Sequence, residues 1–307
     1  MKQFQKTIAR SRLSLPVTSV YAILVWIVCG VLTEQWWLQF GCFALTTYLM
    51  MQLNNLNALL RVYSRMVSCS FLALSCCACF LFPSVRGALT GVCTAAAWLT
   101  LSQTYQDKQS VGITYYGFLL VGLASTAYVQ VLFLVPLLWL LMTTQLLALS
   151  WRTWKASLLG LLTPYWFWLG WLLFRSDFSP FVNHFLQLSV FRFPIDYSVL
   201  NQAQWAVYAF TALLTFIHVI HYMRDWHNDK IRIRLLYGFF LWMDLGALAG
   251  IAIQPQFYDM LMHIAIVCTA PLIGHYLALS SSKLSNIVSC LIFAATLAIT
   301  VYSLWTF

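Results

Sequence analysis

Residues 1–33 read MKQFQKTIARSRLSLPVTSVYAILVWIVCGVLT. Lys2, Lys6, Arg10 and Arg12 make a basic lead-in over residues 1–15, and an apolar run from Pro16 to Thr33 follows it. A run of that length approaches the roughly 20 residues that cross a ~30 Å hydrocarbon layer, so it reads as a membrane span. A cleaved signal peptide needs small residues in an A-x-A-like pattern after its apolar core. Here the chain continues Val31-Leu32-Thr33-Glu34-Gln35-Trp36, so the segment is expected to be retained.

The same pattern repeats along the chain. Apolar runs follow at about 36–53, 67–83, 87–102, 111–126, 129–149, 156–174, 205–223, 235–253, 258–278 and 286–306, which makes eleven expected spans. Composition agrees. Of 307 residues, 62% are hydrophobic and only 8% charged, with a mean hydropathy of +0.79. A soluble domain carries about 25% charged residues, so lipid must be the main solvent. The expected fold is an all-α transmembrane bundle forming one domain over residues 1–307.

The net charge of +9 does not point to nucleic acid, because the basic residues stand in short gaps beside span ends. With the N-terminus in the cytoplasm, fourteen of the seventeen Lys and Arg fall on the cytoplasmic side. They are Lys2, Lys6, Arg10, Arg12, Arg61, Arg65, Lys108, Arg152, Lys155, Arg224, Lys230, Arg232, Arg234 and Lys283. Only Arg86, Arg175 and Arg192 fall outside. This is the positive-inside pattern of an inner-membrane protein, and its natural partners are anionic membrane lipids. Trp36, Trp37, Trp151, Trp154 and Trp226 lie near run ends, as interfacial belts require.

Nine cysteines, including Cys76-Cys77-x-Cys79, all lie within apolar runs and read as small packing residues rather than a metal centre. No phosphate-cradling loop, nucleotide signature or H-E-x-x-H motif is present, so the sequence indicates no metal and no cofactor. Only eight acids exist, and an ionisable group among apolar spans is costly and often functional.

Four groups of residues are candidates for chemistry. The outer segment, residues 175–204, carries Arg175, Asp177, His184, Arg192 and Asp196, with Glu34 on the same side. Arginines hold phosphate bidentately and a carboxylate or His acts as base, so these residues suit an anionic lipid-linked substrate. The alternative is an interfacial loop with local pairs. Next, His218, His221 and Asp225 stand at offsets 0, 3 and 7, which share one helix face and suit a proton path or, less well, a metal ion. Asp244 falls in mid-run, where it must face the bundle and find a partner, with His218 and His263 at suitable depths. His275 follows Pro271 and Gly274 in a stretch expected to kink.

Four stretches carry a resemblance. They are NNLNALL at 54–60, GFLLVGLAS at 117–125, GLLTPY at 160–165 and APLIGHYLAL at 270–279. Together they resemble an uncharacterised family of polytopic inner-membrane proteins of Bacteroidota, which implies the same multi-span fold and no particular activity. Gly122-Leu123-Ala124 and the Leu158–Tyr165 stretch are similar to multi-span glycosyltransferases that use polyprenyl-phosphate sugars. That resemblance implies an outer active site with an acid just after the first span, the place Glu34 holds, and a polyprenyl-linked substrate. The leading expectation is therefore a protein of cell-envelope biogenesis handling a lipid-linked or glycan precursor, with Glu34, Asp177 or Asp196 as base and Arg175, His184 and Arg192 as binding groups. The alternatives are a proton-coupled transporter using His218, His221, Asp244, His263 and His275, or a scaffold for membrane-protein partners.

Overall fold

The computed structural model describes residues 4–190, 194–280 and 282–306. The chain is all-α, with no strand among the described residues. Its helices are α1 (Phe4–Arg10), α2 (Ser14–Val28), α3 (Trp37–Asn57), α4 (Met66–Cys77), α5 (Val85–Leu101), α6 (Val111–Ala127), α7 (Val135–Thr144), α8 (Trp151–Arg175), α9 (Ser179–Leu186), α10 (Gln202–Asp225), α11 (Ile231–Ile253), α12 (Tyr258–Leu279) and α13 (Lys283–Thr306).

Five stretches are long and apolar enough to cross a membrane by length and composition: Trp151–Arg175, Gln202–Arg224, Ile231–Ile253, Pro255–Leu279 and Lys283–Thr306. That is fewer than the eleven expected, and the reason lies in the first half of the chain. Ser14–Val28, Met66–Cys77 and Val111–Ala127 are apolar but short, and Val129–Thr144 is part 3-10 helix. The 21-residue α3 ends in the polar stretch Gln52, Asn54, Asn55 and Asn57. Polar residues and early helix ends break what reads in one dimension as continuous apolar sequence.

The bundle is organised around α12. Of its best apolar window 94% is buried, against 28% for α8 and α13. A helix apolar on every face buries itself completely. It packs against α4, α5, α10 and α11. Close approach needs small residues, which drive helix association where the surroundings are as apolar as the side chains. A Cβ on Gly274 would lie 3.0 Å from the Val67 backbone, so α12 and α4 touch backbone to backbone there. Pro271 stands inside α12, and the helix continues through it to Leu279 rather than ending.

A second close pair is α6 with α8. A Cβ on Gly122 would meet the Leu161 carbonyl at 2.9 Å, and one on Gly160 would collide with the Tyr115 carbonyl. Both clashes are with backbone, so no rotamer change relieves them. The outward face of α8 carries Trp166, Phe167 and Phe174, the last 93% exposed, which suits contact with lipid rather than water. A Gly160→Leu substitution is expected to force α6 and α8 apart at a cost of about 2 kcal/mol or more. The check is the thermal midpoint in detergent, with Gly170→Leu as control, since a Cβ at Gly170 meets nothing within 4 Å.

Candidate functional site

The polar residues converge between α10, α11 and α12, near the ends where α10 meets α11. Helix α10 brings His218 and His221, three positions apart and therefore on one face. Helix α12 brings His275, and α11 brings Tyr237. The His275 ring lies 5.9 Å from His218, 5.3 Å from His221 and 4.4 Å from Tyr237, centroid to centroid. The Tyr237 hydroxyl donates to the Leu59 carbonyl at 3.3 Å. His218 is completely buried against the Leu272 backbone, yet neither ring nitrogen makes a hydrogen bond of ordinary geometry. A buried polar group in that state is uncommon and carries a desolvation penalty.

The cluster is closed by an acid from the α10–α11 connection. Asp229 is 7% exposed; one oxygen lies 2.8 Å from Nε of Arg61 and the other 3.1 Å from Nε2 of His275. Arg61 also donates to the Asn228 carbonyl at 3.0 Å, which pins the connection across the end of the bundle. Burial works to raise the Asp229 pKa, but the His275 hydrogen bond and the charges of His275 and Arg61 outweigh it and hold the carboxyl below its ordinary value. With Nε2 of His275 facing Asp229, its Nδ1 is left without a hydrogen bond inside the cluster. Nearby, Arg232 donates to Asn57 at 3.1 Å and Asn57 donates to Ser102 at 2.8 Å, tying α11, α3 and the end of α5 together.

Deeper in the bundle lies Asp244 of α11, fully buried. Its carboxyl is held by two hydroxyls: Thr215 of α10 donates to one oxygen, and Thr269 of α12 donates to the other at 2.9 Å. Each threonine also has an acceptor one turn back, the Thr211 and Ala265 carbonyls. The hydroxyl protons therefore have somewhere to turn if the acid itself donates, so the site accommodates either charge state of Asp244. Histidine partners were expected for this acid. The structure supplies threonines, and His218 stands three residues from Thr215, just under one turn away.

The outer candidates do not meet in this way. Asp177 accepts from the backbone and hydroxyl of Ser179, which lowers its pKa, and it is fully exposed. Asp196 accepts from the Ser198 amide at 2.9 Å and its hydroxyl at 2.6 Å. Each acid thus shapes a turn of its own. The Arg175 guanidinium lies 4.1 Å from the Trp171 ring centroid. His184 is packed among Tyr165, Trp168 and Phe185 with Nε2 3.0 Å from the Ser125 carbonyl. Burial lowers its pKa, the Ser125 carbonyl opposes that, and the Arg86 charge adds to the lowering. Glu34 is exposed on the turn after α2, its amide bonded to the Gly30 carbonyl at 2.9 Å. Arg192 lies outside the described residues.

His263 stands apart from the other histidines. Its Nδ1 lies 2.7 Å from the Asp259 carbonyl, and its ring presses so closely on Gly87 that a Cβ there would collide with it. It borders a small aromatic pocket with Trp26, Phe43 and Phe82. Among the described residues, no group of three or more His, Cys, Asp or Glu is arranged to hold a metal ion.

The sequence reading placed Asp225 with His218 and His221; the Asp225 side chain lies outside what the structure describes, and Asp229 is the acid seen beside these histidines. Helix α10 ends at Asp225 and a 3-10 turn, Trp226–Asn228, follows, so helical periodicity no longer governs which residues share the face. Arg61 and Tyr237 were not anticipated at all, and no local signal marks them. Compared with protein-family models, curated protein sequences and solved structures, the chain matches none.

Asp229 gives a pH prediction with a fixed sign. Its folded pKa is depressed, so its contribution is present above the unfolded value of about 3.9 and is lost as pH falls below it. Asp229→Asn is expected to cost about 2 kcal/mol at neutral pH. The gap to wild type should hold down to about pH 4 and close only as unfolding is measured below it.

Proposed function

We propose that this chain is a proton-linked carrier of the cell inner membrane. The carrying observation is the run of polar groups from the end of the bundle to its middle: Arg61, Asp229, His275 and His218, then Thr215, Asp244 and Thr269. Histidine changes charge near neutral pH, and an acid buried among spans is costly unless it is used. Asp229 stays ionised at the inner end and draws protons to the histidines beside it, which relay them to Asp244 as the terminal acceptor. Rearrangement of the Thr215 and Thr269 hydroxyls accompanies its change of charge.

The reading includes a topology. Helices α2–α8 and α10–α13, eleven in all, each fall on one of the apolar runs, with α1 as basic lead-in and α9 on the outer segment. The N-terminus is then cytoplasmic, and the histidine cluster opens inward beside Arg61, Lys230 and Arg232.

The rival reading is an envelope-biogenesis enzyme of glycosyltransferase type acting on a polyprenyl-linked precursor outside. It draws on Glu34, Asp177 and Asp196, two of which have a carboxylate oxygen engaged in their own turns. A scaffold for membrane-protein partners needs no fully buried Asp244. The buried acid therefore favours the proton-linked reading.

Dicyclohexylcarbodiimide distinguishes these readings because it modifies protonated carboxyls in apolar surroundings. Labelling of Asp244 in membrane vesicles, located by peptide mass spectrometry, is expected to slow in the double variant His218→Phe, His275→Phe and to be unaffected by Asp177→Asn. An Asp244 that stays unlabelled from acid to neutral pH, or that labels equally with and without the histidines, would overturn the proposal. In cells, Asp244→Asn is expected to lower any proton-driven flux by roughly 10²-fold, the scale on which a positioned proton carrier acts.

A further inference from the structure

A groove with about 1320 Å³ of empty space opens between α2, α4, α12 and α13. Its floor is Cys69 and Ala73 of α4 with Ile273 and Leu277 of α12, and Val17 of α2 and Leu297 of α13 form its rims. Both rim residues are more than half exposed, so the groove is open along its side to whatever surrounds the bundle. Its walls run from Leu13 to Tyr21, eight helical steps along α2 and its start, or about 12 Å at ~1.5 Å per residue. One leaflet of a ~30 Å hydrocarbon layer is about 15 Å deep, so the groove reaches through most of a leaflet.

The mouth of the groove is basic and free of acid. Ile8, Ser11 and Leu13 line it, and Lys6, Arg10 and Arg12 stand among them in the chain. Arg65 immediately precedes Met66, another lining residue, and its charge is felt at Cys69 on the groove floor. Arg65 is half-buried and contacts the Tyr63 hydroxyl at 3.3 Å and the Met51 sulfur at 3.6 Å, both neutral groups. No Asp or Glu occurs between Met1 and Thr33, between Gln35 and Gln106, or between Pro271 and Phe307, so α2, α4 and α13 carry no acid at all. A pair of arginines at the end of an apolar slot fits a phosphodiester whose tail lies in the slot, since guanidinium binds phosphate bidentately.

We propose that this groove holds one acyl chain of an anionic glycerophospholipid of the cytoplasmic leaflet, with its phosphate at the level of Arg10, Arg12 and Arg65. The site is separate from the histidine cluster and stands whether or not that cluster moves protons. It does rest on the inward placement of the N-terminus, because the basic mouth must face the leaflet that supplies the lipid.

The experiment uses the full chain, purified and delipidated in detergent, then offered phosphatidylglycerol or phosphatidylcholine of the same acyl composition. Retained lipid is counted by native mass spectrometry. Wild type is expected to retain phosphatidylglycerol preferentially. The double variant Arg12→Gln, Arg65→Gln should lose about fivefold of that preference for each charge removed. Ala73→Phe, which fills the floor, should lower retention of both lipids, and Lys155→Gln, a basic residue on α8 away from the groove, should change neither. Equal retention of the two lipids by wild type, or an unchanged preference in the double arginine variant, would overturn the proposal. Wild-type retention by Ala73→Phe would place the lipid elsewhere and overturn it as well. If Ala73→Phe fails to fold, the arginine variant decides alone.

Discussion

The burial of α12 is the constraint on which the rest of the molecule depends. Its neighbours approach because Gly274 allows the α4 backbone to touch it, and because its remaining surface is almost wholly apolar. Once a helix is enclosed in this way, every polar side chain it carries must be satisfied from within the bundle. That requirement fixes the positions of several other groups. Thr269 takes a carboxyl of α11 as its acceptor, and His275 takes a carboxyl from the α10–α11 connection. The acid sites are thus consequences of the packing, and their geometry is as rigid as the helix that imposes it.

Two acids solve the same burial problem differently. Asp229 lies near the end of the bundle and is neutralised by an arginine that still reaches solvent. Its attraction to Arg61 offsets desolvation because one partner keeps part of its hydration. Asp244 lies deeper and has only hydroxyls, which stabilise a carboxyl by about 1 kcal/mol each. Hydroxyls do not fix a charge as a guanidinium does. The inner acid is therefore locked as an ion and the deeper one is free to change, an arrangement suited to moving a proton in one direction and awkward for a purely structural pair.

Much of the architecture was legible in one dimension because lipid imposes a coarse rule on composition. The apolar runs, the basic gaps and the all-α fold follow from it directly. Span lengths were not legible, since runs such as 67–83 and 129–149 read as continuous in sequence yet fold as a 12-residue helix with a 3-10 turn after it and as a 3-10 stretch before a 10-residue helix. At the site, the spacing of His218 and His221 announced a shared face. Their partners came from elsewhere, because helical phase ends with α10 and the Arg61–Asn228 contact joins residues 167 positions apart. The outer acids carried a signal that favoured the simpler interpretation. Asp177 and Asp196 each stand two residues before a serine, the spacing at which a carboxylate caps its own turn.

If Asp244 accepts a proton, the mechanical consequence falls on α10. Of the three helices that meet at this acid, α12 is 94% buried and α11 56% over their apolar windows, while α10 is 39% buried. Its attachment at mid-depth includes the Thr215 hydroxyl, whose hydrogen bond depends on the charge of the carboxyl it faces. Its lower turns present His218 and His221 to His275, where added charge on one ring repels the next. Protonation thus weakens the hold on α10 at two heights, while the apolar contacts of α11 and α12 are unchanged. Motion coupled to proton uptake would follow the helix with the least apolar area to expose, so α10 is the moving part and α12 the frame against which it moves.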